Sequence, residues 1–180
     1  FLVASFHRLN HTDLWGHLNF GRWIAEHGTL PSADPFRDAG FAARFVNQPW
    51  LSQWAGFHIF QFAGFDGLTL AHALLITATC GVVMLALRAR GLSGAWAVAG
   101  GVVSFGLSLP IIGTLRPQLC GELGFAVTLW GGTLLLRQRH PLVWLPVVFA
   151  LWTNLHGSTP MGLLVLGSLW LTVVWGATRT

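Results

Sequence analysis

Lysine is absent from this sequence, and charge of either sign is scarce. Ten arginines face six acidic residues, so charged side chains make up 9% of the chain and the net charge is +4. The arginines stand singly or in pairs at the ends of apolar runs and form no basic face. Nucleic-acid binding needs a concentrated basic surface, so we exclude nucleic acid as a partner.

Cysteine is rare as well, and the first residues do not have the pattern of a targeting segment. Cys80 and Cys120 lie within or beside apolar runs without CxxC spacing, which argues against a disulfide framework or a zinc site. No basic segment precedes an apolar run and a cleavage site, so we predict no signal peptide. Residues 1–6 read as the end of a helix that starts earlier, so we expect a piece of a longer protein.

Apolar residues are what the sequence has in abundance. The chain is 53% hydrophobic with 10 Trp and a mean hydropathy of +0.61, too much apolar surface for one soluble domain of 180 residues. Apolar runs cover residues 68–87, 95–115, 119–136, 142–155 and 161–175, the first three near the ~20 residues that cross a bilayer. We therefore predict an all-α, polytopic transmembrane helical bundle.

The predicted domains follow from where the chain is polar. Residues 1–6 end a first transmembrane helix, residues 7–66 form an extracytoplasmic loop with interfacial helices, and residues 67–180 form the bundle of about five spans. Within the loop, an amphipathic helix runs from Thr12 or Asp13 to Glu26 and stops at Gly28. A second, aromatic-rich helix starts near Pro49 or Trp50 and ends about Gly64.

Charge at the ends of the runs predicts how the chain crosses the membrane. Basic residues follow alternate runs and would share the cytoplasmic face; they are Arg88 and Arg90, then Arg137, Arg139 and His140, then Arg179. Segment 13–53, the turn 116–118 and the turn 154–157 would then share the opposite face. Arg116 is isolated on that face, where it either snorkels to headgroups or serves a function.

Five separated motifs resemble one family in order. They are Asp13-x-Trp-x-His-Leu-x-x-Gly-x-Trp-Ile, His27-Gly-x-Leu-Pro with Asp34-Pro-Phe, Val46-Asn-Gln-x-Trp-Leu-Ser-Gln, Leu115-Arg-Pro-Gln and Trp152-x-Asn-Leu-His-Gly. Over residues 1–164 the chain resembles the N-terminal half of bacterial GT-C glycosyltransferases, which include protein mannosyltransferases and aminoarabinose transferases. The resemblance implies an integral protein of the bacterial inner membrane with its active face outside the cytoplasm.

The resemblance also implies a reaction and a set of residues. A sugar would pass from a polyprenyl-phosphate donor in the membrane lipid to an acceptor, with Asp13 as catalytic base or metal ligand. His17, at i+4, would orient Asp13 or share a divalent metal ion with it; the sequence identifies no other cofactor. The residues expected to bind substrate are Arg22, Arg116, Gln118, Asn154 and His156.

Other interpretations of these residues stay open. Two positions depart from the family pattern: Gly16 replaces an expected Trp, and Pro49 replaces an expected acidic residue that a two-acid mechanism would use. Asp13 at a helix start is also a common N-cap. The alternative function is a non-catalytic accessory or structural subunit that binds other membrane subunits. In one form of this alternative, the subunit would ligate a tetrapyrrole pigment through His72.

Overall fold

Helices are the main secondary structure in the part of the chain that the structure, a computed structural model, describes. The described residues are 1–5, 13–37, 45–108, 114–138 and 143–177. Seven helices follow one another in these ranges, without any strand: α1 Leu2–Ser5, α2 Asp13–His27, α3 Trp50–Ala89, α4 Gly94–Ser108, α5 Gln118–Gln138, α6 Leu145–Leu155 and α7 Thr159–Ala177. The predicted all-α class is confirmed.

Helix α2 has the bounds and the amphipathic pattern that its sequence predicts. Asp13 occupies the first turn, where a carboxylate meets the positive end of the helix dipole. Gly28 ends the helix with φ of +67°, a left-handed conformation that favours glycine. The face formed by Leu14, Leu18 and Ile24 is buried, because these residues recur at helical spacing.

Helix α3 is long but interrupted. Gly64 has φ of 58° and ψ of −148°, so the helix consists of two segments joined at a glycine that a side chain would strain. The first segment begins at Trp50, which confirms the predicted aromatic helix from about Trp50 to Gly64. The second segment contains the apolar run that was predicted to cross the membrane.

Helix α3 lies at the centre of the helix packing. It contacts α1, α2, α4, α5 and α6, while α7 packs on α5 and α6. Leu68 of α3 is buried with Leu14 and Leu18 of α2. Further along α3, Ala73 and Ile76 are buried with Leu119 of α5. These two clusters hold the start of α2 near the start of α5.

Two of the helices are long and apolar enough to cross a membrane. They are α3, with an apolar window of mean hydropathy 2.1, and α5, with 1.5. Only 17% of the α3 window is buried within the chain, unlike the core helix of a soluble protein, so a large apolar surface of α3 is open to lipid or to another apolar partner. Helices α4, α6 and α7 are apolar but shorter over their described residues.

The two ends of α5 lie near different groups of arginines. At its C-terminal end, Arg137 approaches Gly91, and Thr133 accepts a hydrogen bond from Arg90. Arg116 precedes the N-terminal end, about 30 Å away for a 21-residue helix. Arg90 and Arg137 thus share one end of the bundle, opposite Arg116. Arg139, His140 and Arg179 lie outside the described residues.

Candidate functional site

Four parts of the chain meet at one cavity, which we call the polar cavity. Its volume is about 230 Å³. Its lining comes from the start of α2, the turn before α3, the start of α5 and the turn between α6 and α7. The lining residues are Asp13, His17, Pro49, Arg116, Pro117, Gln118 and His156. Five of the seven residues predicted to act in catalysis or substrate binding therefore lie together.

An ion pair lies at the polar cavity. The Arg116 Nη2 atom donates to Asp13 Oδ2 at 3.2 Å, although the two residues are 103 positions apart. Their side chains remain 38% and 57% exposed, and such exposed pairs contribute about 0–1 kcal/mol to the free energy of unfolding. Both groups are therefore accessible to a ligand, and the pair is a weak stabiliser of the fold.

The His17 ring is oriented by a buried glutamine. Gln53 is 4% exposed, and its Oε1 accepts a hydrogen bond from Asn47 Nδ2 at 2.7 Å. Its Nε2 atom lies 3.3 Å from His17 Nδ1 and is left to donate to it. A neutral His17 then carries its proton on Nε2. Asn47 and Gln53 thus fix the orientation of the His17 ring at the polar cavity.

His156 lies in the turn where α6 ends, with an extended backbone of φ −161° and ψ 145°. Its Nδ1 atom lies 2.8 Å from Ser158 Oγ and accepts the backbone N–H of Ser158 at 3.2 Å. Partial burial lowers the pKa of the imidazole below its usual value of 6.5, because desolvation disfavours the charged ring. Partial burial therefore favours the neutral form of the His156 ring.

Two sequence motifs that are far apart in the chain dock directly on each other. Trp50 donates its indole N–H to Asn154 Oδ1 at 2.6 Å, across 104 residues. Gly157 approaches the Gln48 side-chain amide so closely that a Cβ atom at this position would overlap it. These contacts fix the α6–α7 turn, and with it His156, against the segment before α3.

Two predicted site residues lie elsewhere. Arg22 pairs with Glu26 at 3.8 Å along the exposed surface of α2, one turn apart. Asn154 is occupied by Trp50 and donates its own amide to the Ala150 carbonyl oxygen at 2.7 Å. Neither residue lines the polar cavity. Arg22 lies on the exposed surface of α2, and the side chain of Asn154 binds Trp50.

Pro49 lies in the lining, and this position is where the family pattern expects an acidic residue. A carboxylate there would border the same cavity as Asp13. Gly16, the other departure, has open space around it, since a Cβ atom at this position would meet nothing within 4 Å. A tryptophan at position 16 would therefore lie on the exposed face of α2, outside the polar cavity.

Two further cavities adjoin the polar cavity. An apolar cavity of about 130 Å³ lies between α2, α3 and α5 and shares His17, Arg116 and Pro117 with it. An inner cavity of about 500 Å³ shares Gln118 and His156. Glu122, one helical turn after Gln118, lines the inner cavity, and sequence reasoning had not singled it out. The polar cavity thus has an apolar neighbour on one side and a larger, mixed one on the other.

The described residues give little support for a metal or a pigment. In the described ranges, no three His, Cys, Asp or Glu side chains gather closely enough to hold a metal ion. Asp13, His17 and His156 line the polar cavity without forming such a group, so we derive no step through a metal. His72 is fully buried and lines none of the cavities described above.

Comparison of the chain with protein-family models, with curated proteins and with solved structures finds no match. The function is therefore argued from the cavity and its residues.

Proposed function

We propose that this chain is glycosyltransferase-like and takes part in transfer of a sugar from a polyprenyl phosphate at the extracytoplasmic face of a membrane. The observation that carries the proposal is the polar cavity. A carboxylate, a guanidinium, an amide and two imidazoles from three distant segments line it. The motifs that resemble GT-C transferases supply all of these groups. The two long apolar helices α3 and α5 are consistent with an integral membrane protein.

The composition of the cavity fits the chemistry of sugar transfer. The acceptor hydroxyl must lose a proton as it attacks the anomeric carbon, and the Asp13 carboxylate is the acidic group placed to accept it. The leaving polyprenyl phosphate gains negative charge, which Arg116 would stabilise by charge-assisted hydrogen bonds. The apolar cavity next to Arg116 suits the first carbons of the lipid chain.

The ion pair between Asp13 and Arg116 gives this mechanism an order of events. Arg116 is bound to Asp13 at 3.2 Å, so a phosphate that binds the guanidinium competes with the carboxylate. Donor binding would draw Arg116 toward the phosphate and release an Asp13 oxygen to accept the proton. The base would thus become available when the donor is in place.

The direct test measures sugar transfer from a polyprenyl-phosphate sugar in proteoliposomes. Asp13→Asn should lower the rate about a hundredfold or more, since an amide cannot accept the proton. Asp34→Asn is the matched control: Asp34 Oδ1 accepts the Phe36 N–H at 3.0 Å in an exposed turn, and an asparagine oxygen can do the same. Near wild-type transfer by Asp13→Asn would remove Asp13 from the mechanism.

Absence of transfer by the wild-type protein, with any lipid-linked donor offered, would favour the non-catalytic membrane subunit. That hypothesis also predicts that Asp13→Asn leaves assembly with other subunits unchanged.

A further inference from the structure

The hydrogen bonds around His156 determine which of its ring nitrogens carries the proton. The backbone N–H of Ser158 points at His156 Nδ1 from 3.2 Å. A backbone N–H is always a donor, so Nδ1 must present its lone pair. A neutral His156 then carries its only ring proton on Nε2.

A second donor acts on the same nitrogen. Trp152 Nε1 lies 3.0 Å from Ser158 Oγ. An indole N–H is only a donor, so Ser158 Oγ accepts this bond and its own hydrogen is free for His156 Nδ1, 2.8 Å away. The three residues form a one-way chain of donors that runs from Trp152 through Ser158 to His156. If Nδ1 carried a proton, it would be a donor facing the Ser158 donors, and these hydrogen bonds would be lost.

Close helix packing on both sides holds the hydrogen-bonded residues Trp152, Ser158 and His156 in place. Trp152 is 2% exposed, and a Cβ atom at Gly124 of α5 or at Gly162 of α7 would overlap its indole ring. A Cβ atom at Gly121 would meet Ser158 Oγ and lie 2.8 Å from His156 Nδ1. The donors therefore have little room to move away from the histidine.

We propose that Ser158 and Trp152 are positioning residues that hold His156 as a neutral ring with Nε2–H available to donate to an oxygen of a bound ligand. His156 lines both the polar cavity and the inner cavity, so this donor serves a ligand that reaches the junction between them. It is a fixed hydrogen-bond donor and does not accept the proton in the reaction. Its role in sugar transfer rests on the proposed function, whereas the state of the ring does not.

The state of the ring is measured by nitrogen-15 NMR of histidine-labelled protein in detergent, with His156 assigned through its own backbone resonances. At neutral pH the wild-type spectrum should have a bare Nδ1 and a protonated Nε2. A ring protonated on Nδ1 would overturn the proposal without any variant. The measurement needs no substrate, so it also separates this proposal from the proposed function.

Variants test which side chains impose that state. Ser158→Ala should raise the pKa of His156 and increase the fraction of charged, doubly protonated ring at a given pH, because a donor that favours the neutral ring is lost. Trp152→Phe should act in the same direction and less strongly. Ser158→Thr keeps the hydroxyl and should restore wild-type behaviour. Ser168→Ala is the matched control, since that hydroxyl donates to Leu164 O on the exposed side of α7.

Transfer activity gives a second measurement for an active protein. Ser158→Ala should lower kcat/KM about tenfold, the effect of one lost hydrogen bond, and Ser158→Thr should restore it. A Ser158→Ala protein with the wild-type pKa of His156 would overturn the proposal. If Ser158→Ala does not fold, Trp152→Phe decides in its place by the same two NMR measurements.

Discussion

Gly21 lies where α2 presses on α3, and a single methyl group there should disturb both folding and the polar cavity. A Cβ atom at Gly21 would overlap the carbonyl oxygen of Gln53 and lie 2.8 Å from Phe57 Cβ. One neighbour is main chain, which cannot rotate away as a flexible side chain would. Overpacking of this kind costs about 1–3 kcal/mol of the free energy of unfolding, so Gly21→Ala should be destabilising by that amount.

Gly16 supplies the matched control on the same helix. A Cβ atom there meets nothing within 4 Å, so the methyl group costs no packing energy. Replacing an exposed helical glycine by alanine stabilises a helix by about 0.5–1 kcal/mol, because less backbone entropy is lost on folding. Gly16→Ala and Gly21→Ala should therefore shift the unfolding midpoint in opposite directions.

The assay is thermal unfolding of both variants in the same detergent, followed by sugar transfer. Gly21→Ala should also slow transfer, because Asp13 lies two turns earlier on α2 and would shift relative to Arg116. Gly16→Ala should leave transfer unchanged. A Gly21→Ala protein as stable as Gly16→Ala would refute the close contact between α2 and α3 on which the position of Asp13 depends.

Two other predictions concern charges at the site. Arg116→Gln should raise the Michaelis constant for the lipid donor while lowering the free energy of unfolding by less than about 1 kcal/mol, since its pair with Asp13 is exposed; an unchanged constant for the donor would exclude Arg116 from phosphate binding. Because the folded state lowers the pKa of His156, the unfolded chain binds more protons below the ordinary value of 6.5, and stability should fall as pH falls through that value. His156→Asn should flatten this slope, and an equal slope in both proteins would place the titration elsewhere.

Local rules predict the helices well. Asp13 and Gly28 mark the ends of α2 through an acidic residue in the first turn and a left-handed stop, and Gly64 marks the interruption in α3. Each signal depends on a few adjacent residues, so no tertiary information is needed. The number of crossings is harder to predict, because an apolar run and a helix can differ in length. The run 142–155 contains α6, which has 11 residues between Trp144 and the extended His156.

The site was predictable only to the level of segments. Alternating charge placed Asp13, Arg116 and His156 on one face, and the polar cavity brings them together. Partners within the site were not predictable, since the Trp50–Asn154 bond joins residues 104 positions apart and no local spacing encodes it. Ser158 follows directly after the last motif, and its short distance to His156 in sequence was the one signal that could have identified it.

Helix α2 and the start of α5 should share one side of a membrane, while the arginines at the other end of α5 should share the opposite side. Single cysteines replacing Asp13, Gln118, Arg90 and Arg137, all exposed, can be placed in a protein with Cys80 and Cys120 changed to alanine. In sealed vesicles of known orientation, an impermeant thiol reagent should label positions 13 and 118 from one side and positions 90 and 137 from the other. Labelling of positions 13 and 118 from opposite sides would contradict a polar cavity at one face of the membrane.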